Sequence, residues 1–183
     1  MGLFFALTAY FGGTMWVLGI LSFFLALLLL LEYERHLHPG LYGWLAARSF
    51  GIFKESPGFL LPDTYFVLSA FLTFAVFPHN IALASLLFLT FGDAVSTVIG
   101  VNFGRHKVYR GKSLEGTAAF FISAVVLALI ISHLPRHRLP FGVGITGAAV
   151  ASLVELFSIP PDDNFSVTIL SGLSMFLVYL LIV

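Results

Sequence analysis

Six apolar runs, each close to the length that crosses a bilayer, leave this chain few folds to choose from. A hydrocarbon core of about 30 Å needs roughly 20 apolar residues in a helix. Thr14 to Leu31, Phe59 to Phe77, Ile81 to Val101, Thr117 to Leu134, Phe141 to Ile159 and Phe165 to Val183 all approach that length. Composition points the same way: 59% of residues are hydrophobic and 10% charged, whereas soluble domains are about a quarter charged. The chain therefore reads as all-α, a polytopic membrane helix bundle with about six transmembrane helices in one integral membrane domain over residues 1–183. The opening Leu3 to Phe11 is too short to cross alone. It is either an extension of the first span bent at Gly12-Gly13 or a helix lying in the interface. The first residues lack the basic region of a cleavable signal peptide. Zero net charge gives no long-range basic field for nucleic acid. The absence of cysteine excludes disulfides, thiolate catalysis and Cys-based metal sites.

Orientation follows from Lys and Arg. Seven of the 9 lie in the first and third connections, as Arg35, Arg48 and Lys54, then Arg105, Lys107, Arg110 and Lys112, so these loops are expected in the cytoplasm. The Pro78-His79-Asn80 turn and the loop with Arg136 and Arg138 then face the other side, and the N-terminus is expected on that non-cytoplasmic side with them. The fifth connection, Pro160 to Asn164, falls on the cytoplasmic face. Charge bias alone thus brings a basic cluster and an acidic pair together.

Within the third span, Asp93 is an ionisable residue in an apolar run, which is costly and points to function. On a helix of 3.6 residues per turn, Ser96, Thr97, Gly100 and Gly104 share its stripe, while Val95, Val98, Ile99 and Val101 face lipid or neighbouring helices. Small residues also let membrane helices pack closely, which is a sufficient account of Ser96 and Gly100 taken alone. Asn102 to Gly116 follows without an apolar period. Its Lys112 and Ser113, just before a hydrophobic helix, can set backbone N–H groups, a hydroxyl and an ammonium around a phosphate. Gly111-Lys112-Ser113 is not a Walker A motif, since the earlier glycine and preceding strand are missing. The structural alternative is a basic loop at anionic lipid headgroups with Ser113 as an ordinary N-cap.

The fifth span carries a second constellation. Gly144, Ala148 and Ala151 lie on one side with Glu155 at its end, Pro160 and Pro161 break the helix, and Asp162, Asp163 and Asn164 follow. Such oxygen ligands suit Mg²⁺, which takes one or two carboxylates and leaves other positions to water and phosphates. A helix cap explains one of these residues, not all of them. Elsewhere the bland reading prevails. Pairing of Glu32 with Arg35 accounts for the end of the first span, Asp63 looks like an N-cap, and His79, His133 and His137 show no convergent metal spacing. Gly40 to Phe53 reads as an amphipathic interfacial anchor.

Taken together, FGDAVSTVIGVNFGRHK and KSLEGTAAFF resemble the signature of the CTP-dependent lipid kinases, the group of dolichol kinase, phytol kinase and CTP-using diacylglycerol kinase. Glu155 and DDNFSV resemble that family's acidic element before its last span, and FKESPG with TYFVLSAFLTFAVFP resembles the segment leading into the signature. The resemblance covers residues 50 to 175. Phosphatidate cytidylyltransferases share the GD, basic, K-S/T-x-x-G order, but their His-Gly-Gly with paired aspartates is absent here.

The resemblance implies transfer of the γ-phosphoryl group of CTP to the hydroxyl of a membrane lipid alcohol, polyprenol- or dolichol-like by preference, at the cytoplasmic face. Asp93, Lys112 and Asp163 are then expected to be catalytic. Phosphates would be bound by Gly92, Ser96, Gly100, Gly104, Arg105, Lys107, Lys112, Ser113 and Gly116. Mg²⁺, the expected cofactor, would be held by Asp93, Glu155, Asp162, Asp163 and Asn164. Two rivals stand beside this reading: a cytidylyltransferase making a CDP-lipid, and a small ion-coupled transporter with Asp93 and Glu155 near the midplane. The expected partners are CTP, the lipid alcohol and the bilayer, with no nucleic acid. Six short spans offer little surface to enclose a long lipid, and a homodimer is compatible with that. The expected location is the cell membrane in a prokaryote or the endoplasmic reticulum membrane in a eukaryote.

Overall fold

A computed structural model describes residues 2–38, Gly40, Gly43, Arg48 and residues 59–182. The expected interfacial helix at Gly40 to Phe53 and the FKESPG segment lie almost wholly outside these residues. The described chain is a bundle of apolar helices, and the all-α membrane reading holds.

The chain opens with α1 (Gly2–Gly12) and α2 (Thr14–Leu37). Gly13, at φ 78°, supplies the left-handed turn between them. The two helices fold back on each other, with the Phe5 and Phe24 rings edge-on at 5.4 Å. Neither expectation for the opening segment describes this hairpin, although the break does fall at Gly12-Gly13. The return carries Gly2 down to Thr90, where a Cβ on Gly2 would lie 2.2 Å from the Thr90 hydroxyl.

Next comes α3 (Pro62–Val76), which starts at a proline that needs no helical N–H partner. Its N-cap is Leu61, not Asp63, and the buried Leu61 N–H is met from another helix. Buried Glu32 on α2 accepts hydrogen bonds from the Leu61 N–H and from the Thr64 hydroxyl at 2.9 Å. Arg35 stands 2.9 Å from the same carboxylate, so the expected pair exists but also ties two helices together.

The third span is one rod in three parts: α4 (His79–Leu87), a π-helical turn (Phe88–Gly92) and α5 (Asp93–Asn102). It is the central helix, 56% buried over its most apolar window against 17% for α2. One face of α4 gives Ile81 and Ala84 to a core shared with the later helices, and another gives Ala82, Leu83 and Leu86 to a core shared with α1 to α3. A short antiparallel hairpin, β1 (Lys107–Tyr109) and β2 (Lys112–Ser113), leads into α6 (Leu114–His133). Then follow α7 (Phe141–Phe157) and α8 (Asp163–Ile182). Small residues set these helices close: a Cβ on Gly144 would lie 2.6 Å from that of Ala128 in α6.

Four helices, α2, α4 with α5, α6 and α8, are long and apolar enough to cross a membrane. The other two expected spans are shorter, 15 residues in α3 and 17 in α7. Both are cut at the same end of the bundle, α3 by Pro62 and α7 by Ser158, which takes a left-handed conformation ahead of Pro160.

Candidate phosphate and metal site

The site begins with the π turn. An i→i+5 turn adds a residue to the helix and rotates everything after it by about 100° relative to an unbroken helix. That rotation sets the face on which Asp93 and the rest of α5 point. Ser96 is buried, Gly100 half-buried, and Val98 and Val101 are exposed outward, which matches the stripe expected from Asp93.

Gly100, Gly104, Ser113 and Gly116 form the seam between α5 and α6. The Ser113 hydroxyl caps α6 by accepting from the Gly116 N–H at 3.2 Å. A Cβ on Gly104 would come 2.2 Å from the Gly100 carbonyl and 2.5 Å from the Ser113 hydroxyl, and one on Gly116 would lie 3.0 Å from the Ser96 carbonyl. Gly92 is spent differently, since its missing side chain makes room for the Phe120 ring. These glycines therefore have a packing reason in the structure, whatever else approaches them.

The basic loop is ordered by two devices. Arg110 and Gly111, at φ 45° and 85°, make the two-residue turn that a tight hairpin requires. Glu115, in the first turn of α6, accepts from the His106 backbone N–H at 3.2 Å and pairs with its ring at 2.6 Å. Glu115 was absent from the expected set, although an acid in a helix's first turn is a legible signal.

This hairpin delivers Lys112 to the acidic turn. Its ammonium lies 3.0 Å from Glu155 and 2.7 Å from Asp163, and it also donates to the Glu155 carbonyl. Burial opposes the charge on Lys112, but hydrogen bonds to Asp163 and Glu155 outweigh it and hold the ammonium above its ordinary value. Asp163 also accepts from the Ser158 hydroxyl at 3.4 Å. Asp162 accepts from the Asn164 N–H at 2.9 Å; burial pushes its carboxyl up against that bond, and the charge of Asp163 adds to the rise.

Asp93 stands apart. Its carboxylate is exposed and makes no hydrogen bond among the described residues. It lines three cavities. One, of about 280 Å³, contains Ser96, Thr97, Gly100, Lys107, Lys112, Ser113 and Gly116, with Glu155 and Asp163 at its edge. A second, of about 430 Å³, runs along the acidic turn and includes Arg110, Asp162, Asp163 and Asn164. A third, of about 230 Å³, lies toward α1 and α3. Most of the expected residues thus converge on one end of the bundle. Gly92, Gly104 and the exposed Arg105 line none of the three cavities. Arg110, left out of the expected site set, does line one.

Among the described residues no three His, Asp or Glu side chains form a preassembled metal cage. The carboxylates of Asp93, Asp162 and Asp163 nevertheless border one cavity. That donor set fits Mg²⁺ carried in by phosphates, which needs only one or two protein carboxylates. Glu155, like Asp163, is a partner of Lys112.

A membrane helix bundle with basic and acidic side chains gathered around Asp93 is the class that the geometry defines. A Rickettsia prowazekii protein described as uncharacterized is 28% identical over 57% of this chain and 52% of its own length. CTP-dependent diacylglycerol kinase 1 of Schizosaccharomyces pombe is 25% identical over 62% of this chain and 58% of its own. The protein of the same name from Eremothecium gossypii is 27% identical over 61% of this chain and 42% of its own. The chain spans about half the length of the curated relatives it matches. No protein-family model matches it, and no solved structure does.

Proposed function

We propose that this protein is a CTP-dependent lipid kinase, transferring the γ-phosphoryl group of CTP to the hydroxyl of a membrane lipid alcohol. The observation that carries the reading is the meeting of a basic hairpin and an acidic turn at Asp93, joined through Lys112. Cations on one wall and carboxylates on the other suit a metal-bound triphosphate. Two relatives named as CTP-dependent diacylglycerol kinases support both the nucleotide and the reaction class.

In this mechanism Lys107, Lys112 and the amides around Ser113 hold the phosphates, and Arg110 faces the acidic side. Asp93, with Asp162 or Asp163, would hold Mg²⁺, which neutralises phosphate oxygens when bound. The acceptor oxygen forms a bond to the γ-phosphorus as the bond to the β–γ bridging oxygen breaks. The electron pair leaves with CDP, and the hydroxyl proton passes to a carboxylate beside the acceptor. Positioning and charge neutralisation supply the rate.

Asp93 lies about 13 Å from the Asn102 end of its rod, and Glu155 is in the last turn of α7. Glu155 at the end of α7, rather than Asp93 near the middle of its 24-residue rod, favours an enzyme over an ion pathway through the midplane. The relatives make diacylglycerol the first acceptor to try, with polyprenols beside it. The deciding assay mixes purified protein, Mg²⁺, each nucleoside triphosphate and a panel of lipid alcohols. CDP with a lipid monophosphate is expected; pyrophosphate with a CDP-lipid would instead mark a cytidylyltransferase.

A further inference from the structure

The third cavity at Asp93 is not used by the nucleotide contacts proposed above; it shares Asp93 and Asn164 with the cavity along the acidic turn, and its lining differs in kind. It shares Asp93, and no other lining residue, with the cavity that contains Lys112. Pro62, Phe66 and Leu89 make one part of its wall apolar, while Asp63, Thr90 and Asn164 make the other polar. No Lys or Arg lines it among the described residues. Its rim residues Pro62 and Asp63 are exposed at the start of α3.

The hydrogen-bonding capacity there matches one alcohol. Thr90 already donates its hydroxyl proton to the Leu86 carbonyl at 2.7 Å. The side chain of Asp63 makes no hydrogen bond among the described residues, and the Asn164 amide, which engages Asp162 with one N–H, has a second to give. A hydroxyl needs one acceptor for its proton and donors for its lone pairs. The Asp63 carboxylate provides the first, and the Asn164 amide provides a donor. The favourable field of a helix start explains an acid in the first turn of α3. It explains neither the cavity nor the amide from α8.

We infer that this cavity receives the hydroxyl-bearing end of the lipid acceptor, with Asp63 accepting the hydrogen bond from that hydroxyl. The inference rests on the kinase reading and adds the acceptor's place to it. In-line transfer requires the attacking and leaving oxygens on opposite sides of phosphorus. Two cavities that meet only at Asp93 give the alcohol and the triphosphate separate approaches to one point. At about 230 Å³ the cavity takes a compact polar end and its first few carbons, and the bilayer keeps the tail.

The test uses the full chain in lipid nanodiscs and has two arms. In the first, Asp63→Asn should raise the KM for the lipid alcohol about tenfold, the cost of losing a hydrogen bond to a charged group. Equilibrium binding of Mg·CTP should stay unchanged, and Asp63→Glu should recover part of the lipid KM. In the second, wild-type protein is irradiated with a diacylglycerol bearing a diazirine beside its hydroxyl. Labelling is expected on α3 and the π turn, at Phe66 and Leu89, and excess unlabelled diacylglycerol should suppress it. Unchanged lipid KM in Asp63→Asn, or labelling confined to other helices, overturns the inference and leaves the kinase reading intact. Labelling at these residues without phosphoryl transfer from any nucleotide would sink the kinase reading while the lipid-alcohol site stands.

Discussion

The two ends of the bundle handle polar groups in opposite ways. At the end away from Asp93, polar side chains are matched with neutral partners. His79 meets the Thr14 hydroxyl at 2.7 Å and the Ala9 carbonyl at 3.0 Å, and His137 meets the Tyr10 carbonyl at 3.1 Å. The two imidazoles pack together at 4.5 Å, and Asn80 donates to the Arg138 carbonyl at 3.0 Å. These histidines have a structural task, closing the α1–α2 hairpin over the bundle. At the other end, Glu155 and Asp163 pair with Lys112, and the carboxylates of Asp93 and Asp63 have no hydrogen bond among the described residues. A fold that can satisfy its polar groups at one end leaves charge unspent at the other. Such an imbalance is costly at a membrane and marks where a charged ligand belongs.

The contrast breaks most directly at Asp93. Asp93→Asn should lower phosphoryl transfer by about a thousandfold, the scale of a lost transition-state charge contact, with unchanged thermal stability in detergent. Activity near wild type would remove this end's claim to be the site. Lys112→Ala is expected to affect both properties, because it leaves Glu155 and Asp163 without their cation. Transfer should fall about a hundredfold, and a thermal melt should register a loss of about 1–3 kcal/mol. A loss of activity alone would separate Lys112 from the packing of the acidic turn. His79→Ala supplies the smallest effect: about 1 kcal/mol of stability from its hydrogen bonds, with kcat held within about twofold because the change is remote from Asp93. A large drop in kcat would mean that the two ends are coupled.

Helix identity was legible in the sequence because hydropathy and length act locally. The stripe beginning at Asp93 and the convergence of Lys112 with Asp163 were also readable, the second through charge bias alone. Other features depend on contacts that sequence does not display. Nothing in Leu3 to Phe11 says that the hairpin brings Gly2 to Thr90, because that follows from how two apolar helices pack. Glu32 reads as half of a local pair until Leu61 and Thr64 arrive from another helix to use its carboxylate. Gly92 and Gly104 read from sequence as phosphate contacts, and only the positions of Phe120 and Ser113 show that packing also requires them. Arg110 was passed over because its place depends on a two-residue turn inside a loop without hydrophobic period.

The π turn gives the rod a phase that composition does not protect. Deleting one residue within Phe88–Gly92 would let the segment close into regular α-helix, still apolar and still long enough to enter a bilayer. Everything from Asp93 onward would turn by about 100° and slide by about 1.5 Å. The carboxylate would leave the junction of its three cavities, and Gly100 and Gly104 would leave their seam with α6. A single in-frame codon loss could therefore preserve membrane insertion while erasing the site, whereas a conservative apolar substitution in the same turn would keep the phase and spare both.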